Sequence, residues 1–216
     1  MLLKRTRRVD REHGTRKFSF FESENAVIIC SGIGVEAARR AAEAAIALYK
    51  PDLVQSVGFA GSLDPKLRVG DVFVPATVID ARDGSRTEIQ DGNGTLLTFM
   101  SVADATQKRR LGEAYISQAI DMEAAAVAAA AQHHGIRFRA VKVISDELGF
   151  EIPDLSRFVD SEGRFRTASF IIYAAVRPWL WMRIASLADA SRKAGAALQK
   201  HLIEHSTMSV PAAKIL

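Results

Sequence analysis

The feature that most constrains the fold is an alternation of short apolar runs with longer stretches of helical character. Residues 26–30 are apolar, end in Ser31-Gly32-Ile33-Gly34, and pass into an Ala-rich segment over 35–50 that Pro51 stops. A short apolar run before glycines reads as a strand, and the Ala-rich segment before a proline reads as a helix. Residues 53–59 read as a second strand. Residues 71–80 read as a third, whose Pro75 marks an edge or a bulge. Asp83-Gly84 and Asp91-Gly92-Asn93-Gly94 read as hairpin turns between short strands. An Ala-rich helix is expected over 122–134, with Asp121 as N-cap and Gly135 as C-cap. A strand over 137–145 and two final helices, over 164–175 and from Pro178 to about residue 205, complete the reading. Strands alternating with helices define an α/β fold: three α/β/α layers around a central mixed, mostly parallel sheet.

Composition sets the boundaries of this reading. The 216 residues are 48% hydrophobic and 25% charged, which suits a globular domain and excludes collagen-like or disordered chains. The single cysteine, Cys30, cannot form an internal bridge, which fits a reducing, cytoplasmic setting. The longest apolar stretch, 170–182, is broken by Arg177 and Pro178 and is too short to span a bilayer. The basic amino terminus has no apolar core behind it, so it does not read as a signal peptide. The formal net charge of +4 is concentrated there: residues 1–17 carry seven Lys and Arg against two acidic residues. No aromatic residue interleaves that run as a base-stacking site requires, so it reads as a mobile basic arm and nucleic acid is not an expected partner. Residues 18–216 then form one domain.

In open α/β sheets ligands sit where strands end and helices begin. That selects Ser31 to Gly34, Gly58 to Ser62, Ser145-Asp146 and the start of the Asp121 helix. Gly32-Ile33-Gly34-Val35-Glu36-Ala37 matches the dinucleotide-binding fingerprint, but the next strand closes on Gln55-Ser56-Val57-Gly58 with no acidic residue to hold a ribose. A nicotinamide cofactor is therefore not expected. The glycines still make a tight turn that exposes backbone N–H groups. His133 and His134 close a helix, where a cation suits the dipole, and no ligand cluster accompanies them, so no metal or other cofactor is expected.

Asp121-Met122-Glu123-Ala124-Ala125-Ala126-Val127-Ala128, followed by Val141-Lys142-Val143-Ile144-Ser145-Asp146, resembles the purine nucleoside phosphorylase/nucleosidase superfamily. Ser31-Gly32-Ile33-Gly34 and Gly58-Phe59-Ala60-Gly61-Ser62-Leu63, then Val69-Gly70-Asp71, stand in that family's order and spacing. The resemblance spans residues 26–149 and is nearest to the 5′-methylthioadenosine/S-adenosylhomocysteine nucleosidase branch. Arg177-Pro178-Trp179 is similar to the hopanoid-associated phosphorylases of the same superfamily.

The resemblance implies cleavage of the N-ribosyl bond of an adenine nucleoside or thionucleoside by a homodimer or higher homo-oligomer. Asp146 matches the family's general acid, with Ser145 orienting it. Met122 and Glu123 match its ribose contacts, and Ala60 and Gly61 lie at its substrate-binding turn. Phe99 falls where the family places a base-stacking aromatic, and it serves equally well as core. The residue chemistry agrees. A desolvated Asp at a strand end can protonate a departing purine, and a Glu at a helix start can bind ribose hydroxyls more strongly as the sugar becomes cationic. Two departures accompany the match. The family's first strand, with the loop glutamate that activates water, has no counterpart before residue 26, which implies feeble hydrolysis and unpaired strand edges. Ser56 and Phe59 replace the Arg and Ser that hold phosphate in one phosphorylase branch. Water is thus favoured over phosphate as the nucleophile; the alternatives are phosphorolysis and a catalytically impaired nucleoside-binding protein that lacks the first strand.

Overall fold

The computed structural model describes residues 6–150, 158, 160, 163, 166, 181–205 and 212–215. The chain opens with a hairpin, β1 (Arg7–His13) and β2 (Arg16–Glu22), continued antiparallel by β3 (Ala26–Ile29). The basic segment expected as a mobile arm is therefore largely a strand. Gly14, at φ +62, turns the hairpin. Arg7 and Arg11 both bind Glu22, and Lys17 binds Asp10, so positive charge on both strands is paired with carboxylates across the hairpin.

Helix α1 (Val35–Tyr49) and strand β4 (Leu53–Ser62) follow. The expected strand over 71–80 is two strands, β5 (Val72–Phe73) and β6 (Thr77–Asp80), because Pro75 interrupts it. Next come β7 (Arg86–Glu88), β8 (Thr95–Thr98), helix α2 (Ala105–Tyr115), β9 (Ala119–Asp121), helix α3 (Ala124–His133) and β10 (Arg137–Asp146). The last described elements are helix α4 (Trp181–His205) and β11 (Ala212–Ile215). Apart from Arg166, the helix expected over 164–175 lies outside the described residues, as do Arg177, Pro178 and Trp179. The Asp83-Gly84 turn joins paired strands, β6 and β7. The Asp91 to Gly94 turn does not. Strands β7 and β8 lie on opposite edges of β6, and β8 runs parallel to it.

One mixed sheet results, in the order β1-β2-β3-β11-β4-β9-β8-β6-β7, with β10 along β4 and β5 along β10. β4 and β10 form its spine, parallel from Leu53/Arg137 onward. Their Val, Ile and Ala content suits strands covered on both faces. Helices α1 and α3 cover one face: Ala38, Ala41, Ala45, Val127 and Ala131 bury against Ile29 and Val54, and small side chains let helix and sheet approach closely. Helix α4 covers the other face, where Ala194, Leu198 and Leu202 pack on Val57, Val141 and Val143. The three-layer α/β/α architecture expected from the sequence is present. Among the described residues no helix is long and apolar enough to cross a membrane.

The place expected to stand empty is filled. β11 runs parallel between β3 and β4, with Ala212 to Ile215 in register with Ala26 to Ile29 and with Leu53 to Ser56. Backbone groups of β3 and β4 that a missing first strand would leave unpaired are paired through β11.

Candidate active site

The carboxyl ends of β4 and β10, the Gly32–Gly34 turn and the start of α3 enclose a cavity of about 560 Å³. That volume lies within the range of small-molecule sites. Six of the seven residues singled out from the sequence line it: Ala60, Gly61, Met122, Glu123, Ser145 and Asp146. Phe99 is not among them. It is half-buried and packs against the cluster of Leu63, Ile79, Leu97, Ala103 and Ile120. Phe59 and Met100, both exposed, supply the apolar surface at the cavity.

Asp146 ends β10 and is buried. Its Oδ1 accepts the Ser145 hydroxyl at 2.7 Å, and its Oδ2 accepts a proton-bearing contact from the Lys108 ammonium. Lys108 also donates to the carbonyl of Glu147 at 3.0 Å. Gly61 makes the room: a Cβ there would stand 2.9 Å from Asp146 Oδ2 and 3.3 Å from Lys108 Cε. The sequence reading missed Lys108 together with its whole helix. The signal was a capping box. The Asp104 carboxylate accepts the N–H groups of Thr106 and Gln107, each at 2.8 Å, while the Gln107 side chain accepts the N–H of Asp104.

Glu123, rather than Asp121, stands at the N-cap of α3. Asp121 ends β9 and still serves the helix, because its Oδ2 accepts the Ala124 N–H at 2.9 Å. The same carboxylate is held by the Lys142 ammonium at 2.8 Å and the Thr98 hydroxyl at 2.7 Å, and Lys142 donates to Ser56 at 3.0 Å. This second buried pair braces the floor on which Glu123 stands.

The glycine turn has a defined use. Gly34, at φ +95, adopts backbone angles that favour glycine and donates its N–H to Glu123 Oε1 at 2.8 Å. The Met122 N–H reaches Oε2 at 3.2 Å. Burial pushes the Glu123 carboxyl up, the neighbouring Asp121 charge adds to the rise, and Lys142 with the two amides opposes it. Glu12, Glu22 and Glu24 do not line the cavity. Glu22 is bound by Arg7, Tyr49 and Arg11, which hold it down at about 2. No group of three or more His, Cys, Asp or Glu able to hold a metal ion occurs among the described residues.

A three-layer fold with its cavity at the strand ends, walled by Ser145-Asp146 and Met122-Glu123, defines a protein of the nucleoside phosphorylase-like class. The chain belongs to the Phosphorylase superfamily, whose sequence profile matches residues 2–111 and 95–176. It is 44% identical over 55 residues to a 5′-methylthioadenosine/S-adenosylhomocysteine nucleosidase of Buchnera aphidicola, a match covering 26% of this chain and only 24% of that protein. To the nucleosidase of the same name from Marinomonas sp. it is 28% identical over 168 residues, covering 62% of this chain and 73% of the relative. The structure shares its fold with a Colwellia psychrerythraea nucleosidase of that name in complex with adenine. The TM-score is 0.60 at 22% identity, over 68% of this chain and 76% of the other.

Proposed function

We propose that this protein hydrolyses the N-ribosyl bond of an adenine nucleoside or thionucleoside, with Asp146 as general acid. The observation that carries the reading is the convergence of Asp146, Met122 and Glu123 on one cavity. Departure of a purine needs a proton on the ring, and Asp146 is buried, oriented by Ser145, and faces the cavity. The sugar left behind is cationic, and Glu123 can take its hydroxyls into charge-assisted hydrogen bonds that strengthen as charge develops. Met122 gives the ribose an adaptable apolar wall. The relatives named as nucleosidases support the same substrate class.

Water is the nucleophile in this reading. Met100, exposed at the cavity, suits cover by a second copy of the chain, and a cytoplasmic homodimer is the proposed assembly. The test is incubation with adenosine, methylthioadenosine and S-adenosylhomocysteine, with and without phosphate, following free adenine and the sugar product. Adenine and free ribose released without phosphate support hydrolysis. Release that requires phosphate and yields the sugar 1-phosphate replaces it with phosphorolysis.

A further inference from the structure

A fully buried lysine is unusual enough to need a reason. Lys108 is 1% exposed, although its neighbours on α2, Arg109 and Arg110, are exposed. Desolvating two ions is costly, and an apolar pair of similar volume often holds a core as well or better. Packing alone therefore does not account for an ammonium placed against the one carboxylate that must carry a proton to the base. Two of its three hydrogens have partners, Asp146 Oδ2 and the Glu147 carbonyl, and the residue itself lines the cavity. Among the described residues, the other charged groups at the site are elsewhere engaged. Asp121 is paired with Lys142, the Glu147 carboxylate lies 3.4 Å from Arg68, and Glu123 holds the amides of Gly34 and Met122. Lys108 is thus the cation committed to Asp146.

We propose that Lys108 is the proton store for base release: its ammonium supplies the proton that Asp146 hands to the purine. This rests on the hydrolytic reading above. An N–H bond of Lys108 breaks as an O–H bond forms on Asp146. That O–H bond breaks as a purine ring nitrogen gains the proton, and the electron pair of the C1′–N bond passes to the purine. Water adds its oxygen to C1′, and the proton it loses returns to the Lys108 amine, so the cycle consumes only water. Lys108 acts through Asp146: it fixes where the proton waits, not where the substrate sits. The ion-paired resting state and the acid role of Asp146 are then two ends of one proton transfer.

The test compares the full chain with Lys108→Arg and Lys108→Met. Two substrates are used: methylthioadenosine, and 4-nitrophenyl riboside, whose nitrophenolate leaves without a proton. Arginine keeps the charge and the contact but does not give up its proton. Lys108→Arg is expected to lose on the order of 10²-fold in kcat on methylthioadenosine, with KM changed less than about threefold. Its turnover of the nitrophenyl riboside stays within about threefold of wild type. Lys108→Met is expected to show the same selective loss, since methionine fills the space and carries no proton to give. Two results overturn the proposal: Arg restoring kcat on methylthioadenosine, which leaves Lys108 only holding Asp146 in place, or equal loss on both substrates, which leaves it a wall of the cavity. No purine release by the wild-type chain from any nucleoside refutes the hydrolytic reading itself, and this inference with it.

Discussion

Gly61→Ala tests how tightly Asp146, the proposed acid, is seated. An added Cβ would stand 2.9 Å from Asp146 Oδ2, 3.2 Å from Ile120 Cγ2 and 3.3 Å from Lys108 Cε. Ordinary carbon–oxygen contact begins near 3.4 Å, so Asp146 must retreat by about half an ångström. A carboxylate at the end of a free side chain would do so at little cost. This one is pinned on Oδ1 by Ser145 and on Oδ2 by Lys108, and Ile120 and Lys108 are themselves buried. Misplacing a catalytic group by a full ångström costs about 10²-fold in rate, so half of that displacement predicts about a tenfold fall in kcat. Overpacking also costs about 1–3 kcal/mol of stability, read as a lower Tm. The assay is adenine release at saturating methylthioadenosine beside thermal unfolding. A variant with a lowered Tm but wild-type kcat would refute the claim that Asp146 is held to a fraction of an ångström. A variant unchanged in both would refute the packing argument itself.

Asp146→Asn keeps shape and a hydrogen-bond donor but no transferable proton, so kcat is expected to fall on the order of 10²-fold or more while adenine binding, read by calorimetry, persists. Glu123→Gln removes the charge proposed to face the sugar and is expected to cost about 2–4 kcal/mol in kcat/KM on ribosides; an equal loss on 2′-deoxyribosides would contradict the hydroxyl contact. Because burial raises the Glu123 carboxyl, the folded state binds the extra proton, and stability contributed by the neutral acid is lost as pH rises from the unfolded carboxylate value through the raised folded one. Denaturation across that window should therefore show a downward slope in wild type that Glu123→Gln lacks. Lys142→Met strands Asp121 as an uncompensated buried charge and is expected to cost about 3–5 kcal/mol, measured by urea unfolding.

Much of the site was legible because its residues lie in contiguous strand-end motifs. Val141 to Asp146 reads as a strand with a polar end and Asp121 to Val127 as an acidic helix start, and the family resemblance these motifs carry singles out Asp146 and Glu123. The exact cap could not. The carboxylates of Asp121 and Glu123 are two residues apart, and only the hydrogen bond from the Ala124 N–H shows which serves the helix end. Helix α2 escaped for a physical reason. It is polar along most of its length, Lys108 is its only fully buried residue, and helical periodicity is carried by buried apolar side chains. Its capping box was readable, and would have placed Lys108 in the first turn. That Lys108 turns inward was not readable, since lysines are ordinarily solvated and its burial is made tolerable by the Asp146 carboxylate and the Glu147 carbonyl, 38 and 39 residues away in the chain. The hairpin was hidden in the same way: charge density suggested solvent, while cross-strand pairs with Glu22 and Asp10 absorb the charge.

The position of β11 has a kinetic meaning. The hairpin and β3 form one run of neighbours, β4 and β10 anchor another, and β11 is the strand that joins them. Its partners Ala26 to Ile29 and Leu53 to Ser56 lie early in the chain, so the join closes a loop of most of the protein's length. Loop-closure entropy grows only slowly with length, so the equilibrium cost is modest, but pairings of such separation form late. During synthesis the β4–β10 half can pair before β11 exists, while the groove between β3 and β4 stays open and able to accept any extended segment of suitable sequence. The sheet of this protein is therefore sealed by its most distant strand, and the interval before sealing is when it is most exposed to pairing with the wrong chain.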